Sequence, residues 1–352
     1  MAKPTSAEAA LDAQPPPGPL ASYFPGYFAM VMATGIIAIG CRSLGIPWLG
    51  EVLYVIAAVA YVVIAALTTA RLVRYPRLVT ADITSHAKGF AFTTAVAGTE
   101  VLGAASLILF GWWQLALALW WVGVALWAVL VYTTLIAVVL SVEKPGFGAI
   151  NGTWFLLTVS TESIAVLGAL LLPQIGGEAL AFACLAFFCL GILLYVIVMT
   201  MIFTRWTFYR LRPADEDPPT WIAAGAVAIT TLAGSNLLLA RTADPLLERM
   251  APAIELFVVL AWATATFWFP LMIAIGVWKH IVNRFPLRYH PSYWALVFPL
   301  GMYAVATVKM RLAIELGMLA WLPVVALAIA LVAWAATFFG LIHHVTRATT
   351  AG

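Results

Sequence analysis

The chain has 352 residues, 64% of them hydrophobic and 9% charged, with a mean hydropathy of +1.02. A soluble globular protein carries roughly 25% charged residues, so a soluble fold is excluded, and a net charge of +3 gives no argument for nucleic acid. Everything outside the bilayer is tail and loop, which leaves the function to membrane helices.

Residues 1–22 are polar and proline-rich (Pro15, Pro16, Pro17, Pro19) and lack the apolar core of a signal peptide. They read as a disordered cytoplasmic tail. Ten apolar spans follow, near 24–43, 51–71, 88–110, 112–141, 150–173, 178–204, 219–240, 252–281, 291–312 and 315–343. Each can cross a hydrocarbon core of about 30 Å at about 1.5 Å per residue. None alternates in polarity as the strands of a membrane barrel do. Residues 23–344 are therefore expected to form an all-α transmembrane domain of ten helices, with 345–352 a short cytoplasmic tail. With the N-terminus inside, only Arg42, Arg241, Arg249, Lys309 and Arg311 among the Lys and Arg residues fall outside. The positive-inside rule then puts both termini in the cytoplasm, in the cell (inner) membrane.

Very short external links after spans 3, 5 and 9 imply five helical hairpins. The two helices of a hairpin differ in composition. Gly, Ser and Thr concentrate in the odd spans, as at Gly98, Thr99, Ser160 and Thr161, whereas span 4 carries Trp112, Trp113, Trp120, Trp121 and Trp127. Small residues suit close packing and bulky ones suit lipid, so the odd helices are expected to form an inner ring and the even helices to lie outside it.

Ionisable groups inside a membrane default to functional hypotheses. Glu100 and Glu162 both fall near mid-depth, in spans 3 and 5. On a helical wheel Glu100 shares a stripe with Gly89, Thr93 and Gly103, which marks it as a pore or proton-coupling residue. Glu162 lies beside Phe155 and Val166 and is expected between helices, bonded to a neighbour. For both, a purely structural carboxyl that holds helices together is the alternative. Lys309, near the outer end of span 9, either attracts anions to the mouth or snorkels to the interface beside Arg311. It is eleven residues from Phe298, which returns a helix to within about 20° of the same face. Pro299 and Gly301 would let the helix bend there.

Other chemistry is absent or weak. His86, His280, His290, His343 and His344 form no zinc pair, Cys41, Cys184 and Cys189 have no metal spacing, and Ser235 has no base beside it. Asp215, Glu216 and Asp217 read as a solvated turn. No cofactor, metal or nucleotide site is expected, which leaves passive or ion-coupled transport.

Three stretches carry a family resemblance. Span 1 opens Phe24-Pro25-Gly26-Tyr27-Phe28 and runs to Thr34-Gly35. Span 5 runs from Asn151-Gly152-Thr153-Trp154 to Ser163-Ile164-Ala165. Span 9 contains Tyr293-Trp294-Ala295-Leu296-Val297-Phe298-Pro299-Leu300-Gly301 and then Val305-Ala306-Thr307-Val308-Lys309. The chain resembles the tellurite-resistance/dicarboxylate transporter family, which includes the bacterial tellurite-resistance protein, the fungal malate permease and the plant slow anion channel. That resemblance implies a homotrimer with a pore in every protomer, an inner ring of odd helices in quasi-fivefold symmetry, and Phe298 as the residue that blocks the pore. It implies small anions as substrates: chloride, nitrate or sulfite, or malate and other C4-dicarboxylates. Spans 3, 5 and 7 lack the mid-helix prolines of some members and are expected to bend at Gly98 or Gly234. Control by phosphorylation of long tails, as in the plant channels, is not expected. The expected function is a passive anion channel; the alternative is a proton-coupled dicarboxylate or sulfite carrier using Glu100.

Overall fold

A computed structural model describes residues 18–350, so most of the N-terminal tail lies outside the described residues. Among the described residues, ten helices have the length and apolarity to cross a membrane: α1 (Pro25–Ser43), α2 (Pro47–Arg74), α3 (Gly89–Phe110), α4 (Trp113–Leu140), α5 (Gly152–Ile175), α6 (Glu178–Phe208), α7 (Pro218–Leu239), α8 (Pro245–Val282), α9 (Pro291–Ala313) and α10 (Leu322–Arg347). No strand occurs among the described residues. A short helix, Pro76–Ile83, follows α2. The last helix continues unbroken to Thr350. The C-terminal tail assigned to 345–352 therefore begins as helix, because nothing in His343-His344-Val345-Thr346 breaks one.

The odd helices pack on one another in the circular order α1, α3, α5, α7, α9 and back to α1. Each even helix packs on its own hairpin partner and also on the next odd helix round the circle. Burial follows this arrangement. The odd helices are 72–94% buried over their most apolar stretch and the even ones 17–39%. The even helices turn Val62, Trp121, Phe267 and Val332 outward, each at least 60% exposed, as a lipid-facing surface requires.

Close approach within the ring comes from missing side chains. A Cβ on Gly225 of α7 would stand 2.7 Å from the Pro299 ring of α9, and one on Gly152 would stand 2.2 Å from the Pro219 backbone.

A local motif repeats with the ring. Every odd helix opens with a 3₁₀ turn: Pro25–Phe28, Gly89–Thr93, Gly152–Phe155, Pro218–Trp221 and Pro291–Tyr293. These five turns touch one another in the same circular order and close one end of the bundle. Counted from each start, the fourth residue is always aromatic: Phe28, Phe92, Phe155, Trp221 and Trp294. Four of these rings meet an aromatic ring of an even helix, Phe28 with Tyr61, Phe155 with Tyr195, Trp221 with Phe269 and Trp294 with Trp334, at centroid distances of 5.6 to 6.4 Å.

Hydrogen bonds tie each even helix to the odd helix that follows it. Tyr61 bonds Thr99 (3.0 Å), Trp127 bonds Thr161 (2.9 Å), Tyr195 bonds the Ala223 carbonyl (3.2 Å), Trp262 bonds Thr307 (3.1 Å) and Trp334 bonds Thr34 (2.9 Å). The hydroxyls of Thr99, Thr161 and Thr307 also donate to the carbonyl four residues earlier, which leaves their lone pairs to accept from the aromatic donor. The circle of clamps closes through α10 onto α1.

Candidate functional site

The ring encloses a cavity to which only odd helices contribute. Its walls are stacked in register. The twelfth residue from each 3₁₀ start forms one layer: Ile36, Glu100, Ser163, Ile229 and Met302. Ile39, Ala104, Val166, Leu232 and Val305 form the next, and Ile108, Leu170, Asn236 and Lys309 the last. Steps of three and four residues keep one helical face on the axis. The space is narrow: its ≈ 10 Å³ of free volume admits about one water molecule. The walls are apolar apart from Glu100, Ser163, Asn236 and Lys309.

These polar groups are unequally satisfied. Ser163 donates to the Ser160 carbonyl at 2.8 Å, and the Asn236 amide donates to the Val166 carbonyl at 3.3 Å while its Oδ1 is buried without a partner. Lys309 is half-buried and, among the described residues, has neither ion pair nor hydrogen bond. It sits on the α9 face that carries Met302 and Val305, at the end of the cavity away from the 3₁₀ turns. The ammonium group is thus a cation in an apolar shaft, where its field is weakly screened.

Phe298 lies four residues before Met302 on the same face, one turn towards the 3₁₀ turns, and is 1% exposed. Around it α9 is a continuous helix from Trp294 to Ala313 with Pro299 inside it. Pro299 rests on Gly225, and Gly301 faces α1, where a Cβ would come 2.8 Å from Ile37 Cγ1. Pro299 and Gly301, the expected hinge, both also stand against neighbouring helices. Gly98 and Gly234 likewise abut neighbours, Phe28 and Val258.

The stripe on α3 needs correction. Gly103 stands against Leu167 of α5 and Leu119 of α4, and Gly89 against the Ile83 carbonyl and Thr134 of α4, so both glycines seat neighbouring helices and neither lines the cavity. The Glu100 carboxyl lies in the seam between α3 and α4 over Gly123, where a Cβ would be 1.9 Å from Oε1. Glu100 still borders the cavity, and both carboxyl oxygens are buried without hydrogen-bond partners. Glu162 occupies the corresponding seam of the next hairpin. It lies over Gly191 of α6 and accepts from Thr230 Oγ1 at 3.0 Å. A helical wheel gives an angle but not the neighbour that fills it. The glycines that make the two sockets, and Thr230, were not singled out by the sequence reading.

Of the acidic triplet, Asp215 and Asp217 are exposed as a solvated turn requires, and Glu216 differs from expectation. Glu216 is 3% exposed and belongs to a buried latch rather than a solvated turn. Thr220 Oγ1 donates to it at 2.8 Å, Arg205 approaches at 3.7 Å, and Lys279 Nζ donates to its carbonyl oxygen. Burial pushes the Glu216 carboxyl up, and the Thr220 bond and the charges of Arg205 and Lys279 oppose that rise. The two bases come from the ends of α6 and α8, close together in space but far apart in sequence, which is why the triplet alone was misleading.

The sequence matches the voltage-dependent anion channel family over residues 23–342. The chain belongs to this family. Relatives extend the likeness. An uncharacterised membrane protein of Mycobacterium tuberculosis is 40% identical over 43% of this chain and 76% of its own length. An uncharacterised transporter of Methanocaldococcus jannaschii is 24% identical over 80% of this chain and 82% of its own. A sulfite efflux pump of Trichophyton rubrum is 22% identical over 83% and 82%. Family members are thus channels and transporters rather than enzymes, and the resemblance to the tellurite-resistance/dicarboxylate transporter family agrees with them. The protein is a multi-pass membrane protein of the anion channel and transporter class.

Proposed function

We propose that the protein is a passive channel for small anions, closed at rest by Phe298. The observation that carries this reading is the cavity between the odd helices, mostly apolar, with free volume for about one water and an unpartnered lysine at one end. Conduction needs binding strong enough to enter and weak enough to leave, and a single cation in an otherwise apolar shaft meets that need. The sulfite efflux pumps among the relatives favour an oxyanion such as sulfite beside chloride, nitrate and C4-dicarboxylates such as malate. Each protomer of a homotrimer would hold its own pore, with both termini on the cytoplasmic side of the cell membrane.

A second reading, a proton-coupled dicarboxylate or sulfite carrier, has its own support in Glu100, whose carboxyl borders the shaft with both oxygens unpartnered. Reconstituted vesicles separate the two. Chloride, nitrate, sulfite and malate fluxes are measured with and without a pH gradient; anion flux indifferent to the gradient supports the channel, and flux that requires it supports the carrier.

A further inference from the structure

A second cavity, of about 390 Å³, opens between α2 and α4 at the end of the bundle where the odd helices begin. These two even helices do not pack appreciably on each other, so the gap between them is unfilled by protein. Tyr61 and Ala65 of α2 and Leu126 and Leu130 of α4 make an apolar slot, and its inner end reaches Phe28 and Phe92. Arg71 lines the opposite, polar end and is 4% exposed. Its Nη2 holds Asp82 at 2.6 Å and the Ala21 carbonyl at 3.1 Å, and its Nε is buried with no partner among the described residues. Helix Pro76–Ile83 covers this end with Val79 and Ile83 against the cavity. The segment that joins α2 to α3 at this end is basic, with exposed Arg74, Arg77 and Lys88 against Asp82, which pairs with Arg71 and Lys88.

We propose that this cavity binds an anionic phospholipid, its phosphate accepting from Arg71 and one acyl chain lying in the slot between α2 and α4. A buried guanidinium N–H without a partner calls for an acceptor, and a phosphate oxygen forms a charge-assisted bond with it. Basic pockets between membrane helices take acidic headgroups in this way. A free phosphate would leave the apolar slot empty, and a zwitterionic lipid would bring its own cation beside Arg71 and the basic segment that follows α2. The bound chain would join α2 to α4 and bear on Phe92 and on Phe28, whose ring meets Tyr61 of α2. This inference is independent of the transport reading.

Native mass spectrometry of the intact protein, titrated with palmitoyl-oleoyl phosphatidylglycerol or the matching phosphatidylcholine, tests it. One cationic contact is worth about five-fold in affinity, so phosphatidylglycerol should bind about five-fold more tightly or better. Arg71→Gln should abolish the preference, but it also loses the Asp82 bond and can fail to fold. Ala65→Trp fills the slot and leaves the Arg71–Asp82 pair intact; it should reduce phosphatidylglycerol binding to the phosphatidylcholine level while the melting temperature in lipid-free detergent is unchanged. Glycerol phosphate should not compete. Equal binding of the two lipids, full preference retained in Ala65→Trp, or displacement by glycerol phosphate would overturn the proposal.

Discussion

Lys309 and Glu100 border one cavity, but their surroundings set them apart. The lysine has no partner among the described residues and faces the axis, so its charge is available to ions. Lys309→Gln should lower anion conductance in low salt, and the difference should shrink as salt rises and screens the field. Equal conductance at both ionic strengths would make Lys309 a wall residue. Glu100 and Glu162 owe their positions to glycines on the facing helices. Gly123→Val places carbon where the Glu100 carboxyl lies, and neither the seam nor the cavity has room to receive it. The expected cost is that of overpacking, about 1–3 kcal/mol, read as a lower melting temperature in detergent. The same substitution at Gly111, which turns out of α3 in a left-handed conformation with no atom near its Cβ position, costs only backbone strain and leaves the Glu100 seam intact.

At the scale of helices, the sequence reveals the spans and the division into small-residue and bulky helices. In a membrane, side-chain size rather than polarity distinguishes packed from lipid-facing surfaces, and Gly, Ser and Thr record size directly. Neighbours are harder to read. The aromatic clamps join residues such as Trp334 and Thr34, 300 positions apart, and no local pattern marks them. The 3₁₀ entries had a signal that the sequence reading did not use: Pro or Gly followed at the fourth position by an aromatic, recurring every 63 to 73 residues. The Pro76–Ile83 helix gives a prediction at this scale. Partial burial pushes Asp82 up, but hydrogen bonds from Arg71 and Lys88 outweigh it and hold the carboxyl below its ordinary value. The bound carboxylate therefore contributes its full stability above the ordinary Asp range near about 3.9 and loses it as pH falls through the lower folded value. Asp82→Asn should lower the melting temperature at neutral pH by a few degrees and flatten its decline in acid. A parallel decline in both proteins would show that Asp82 contributes nothing to the acid sensitivity.

For the molecule as a whole, the closed ring constrains how a gate at Phe298 could open. The shaft beside it holds about one water, far less than a benzyl group needs, so the ring cannot swing aside while the five helices stay in place. Opening must move α9. That helix is held by Gly301 on α1, by Pro299 on Gly225 and by the Trp262–Thr307 bond, and a membrane hydrogen bond of this kind contributes only about 0.6–2 kcal/mol. A modest displacement is therefore within reach of a bound ion or a membrane potential. A disulfide between α1 and α9, from Ile37→Cys and Gly301→Cys, should prevent it, because a Cβ on Gly301 would stand 2.8 Å from Ile37 Cγ1, the branch that a cysteine sulfur would replace. Exposed Cys189 is replaced by Ser to avoid mispairing. Oxidation should abolish the residual conductance of the protein with Phe298 intact, and reduction should restore it. Phe298→Ala should raise conductance strongly and make it indifferent to the crosslink, since nothing then has to move. Leu296→Ala, whose side chain borders the separate pocket beside Glu216 and Lys279, should leave conductance at the parent level. If Phe298→Ala is folded and no more conductive than the parent, the closed point lies elsewhere in the shaft. If the crosslink silences Phe298→Ala as well, opening depends on a wider rearrangement of the ring than the release of one aromatic side chain.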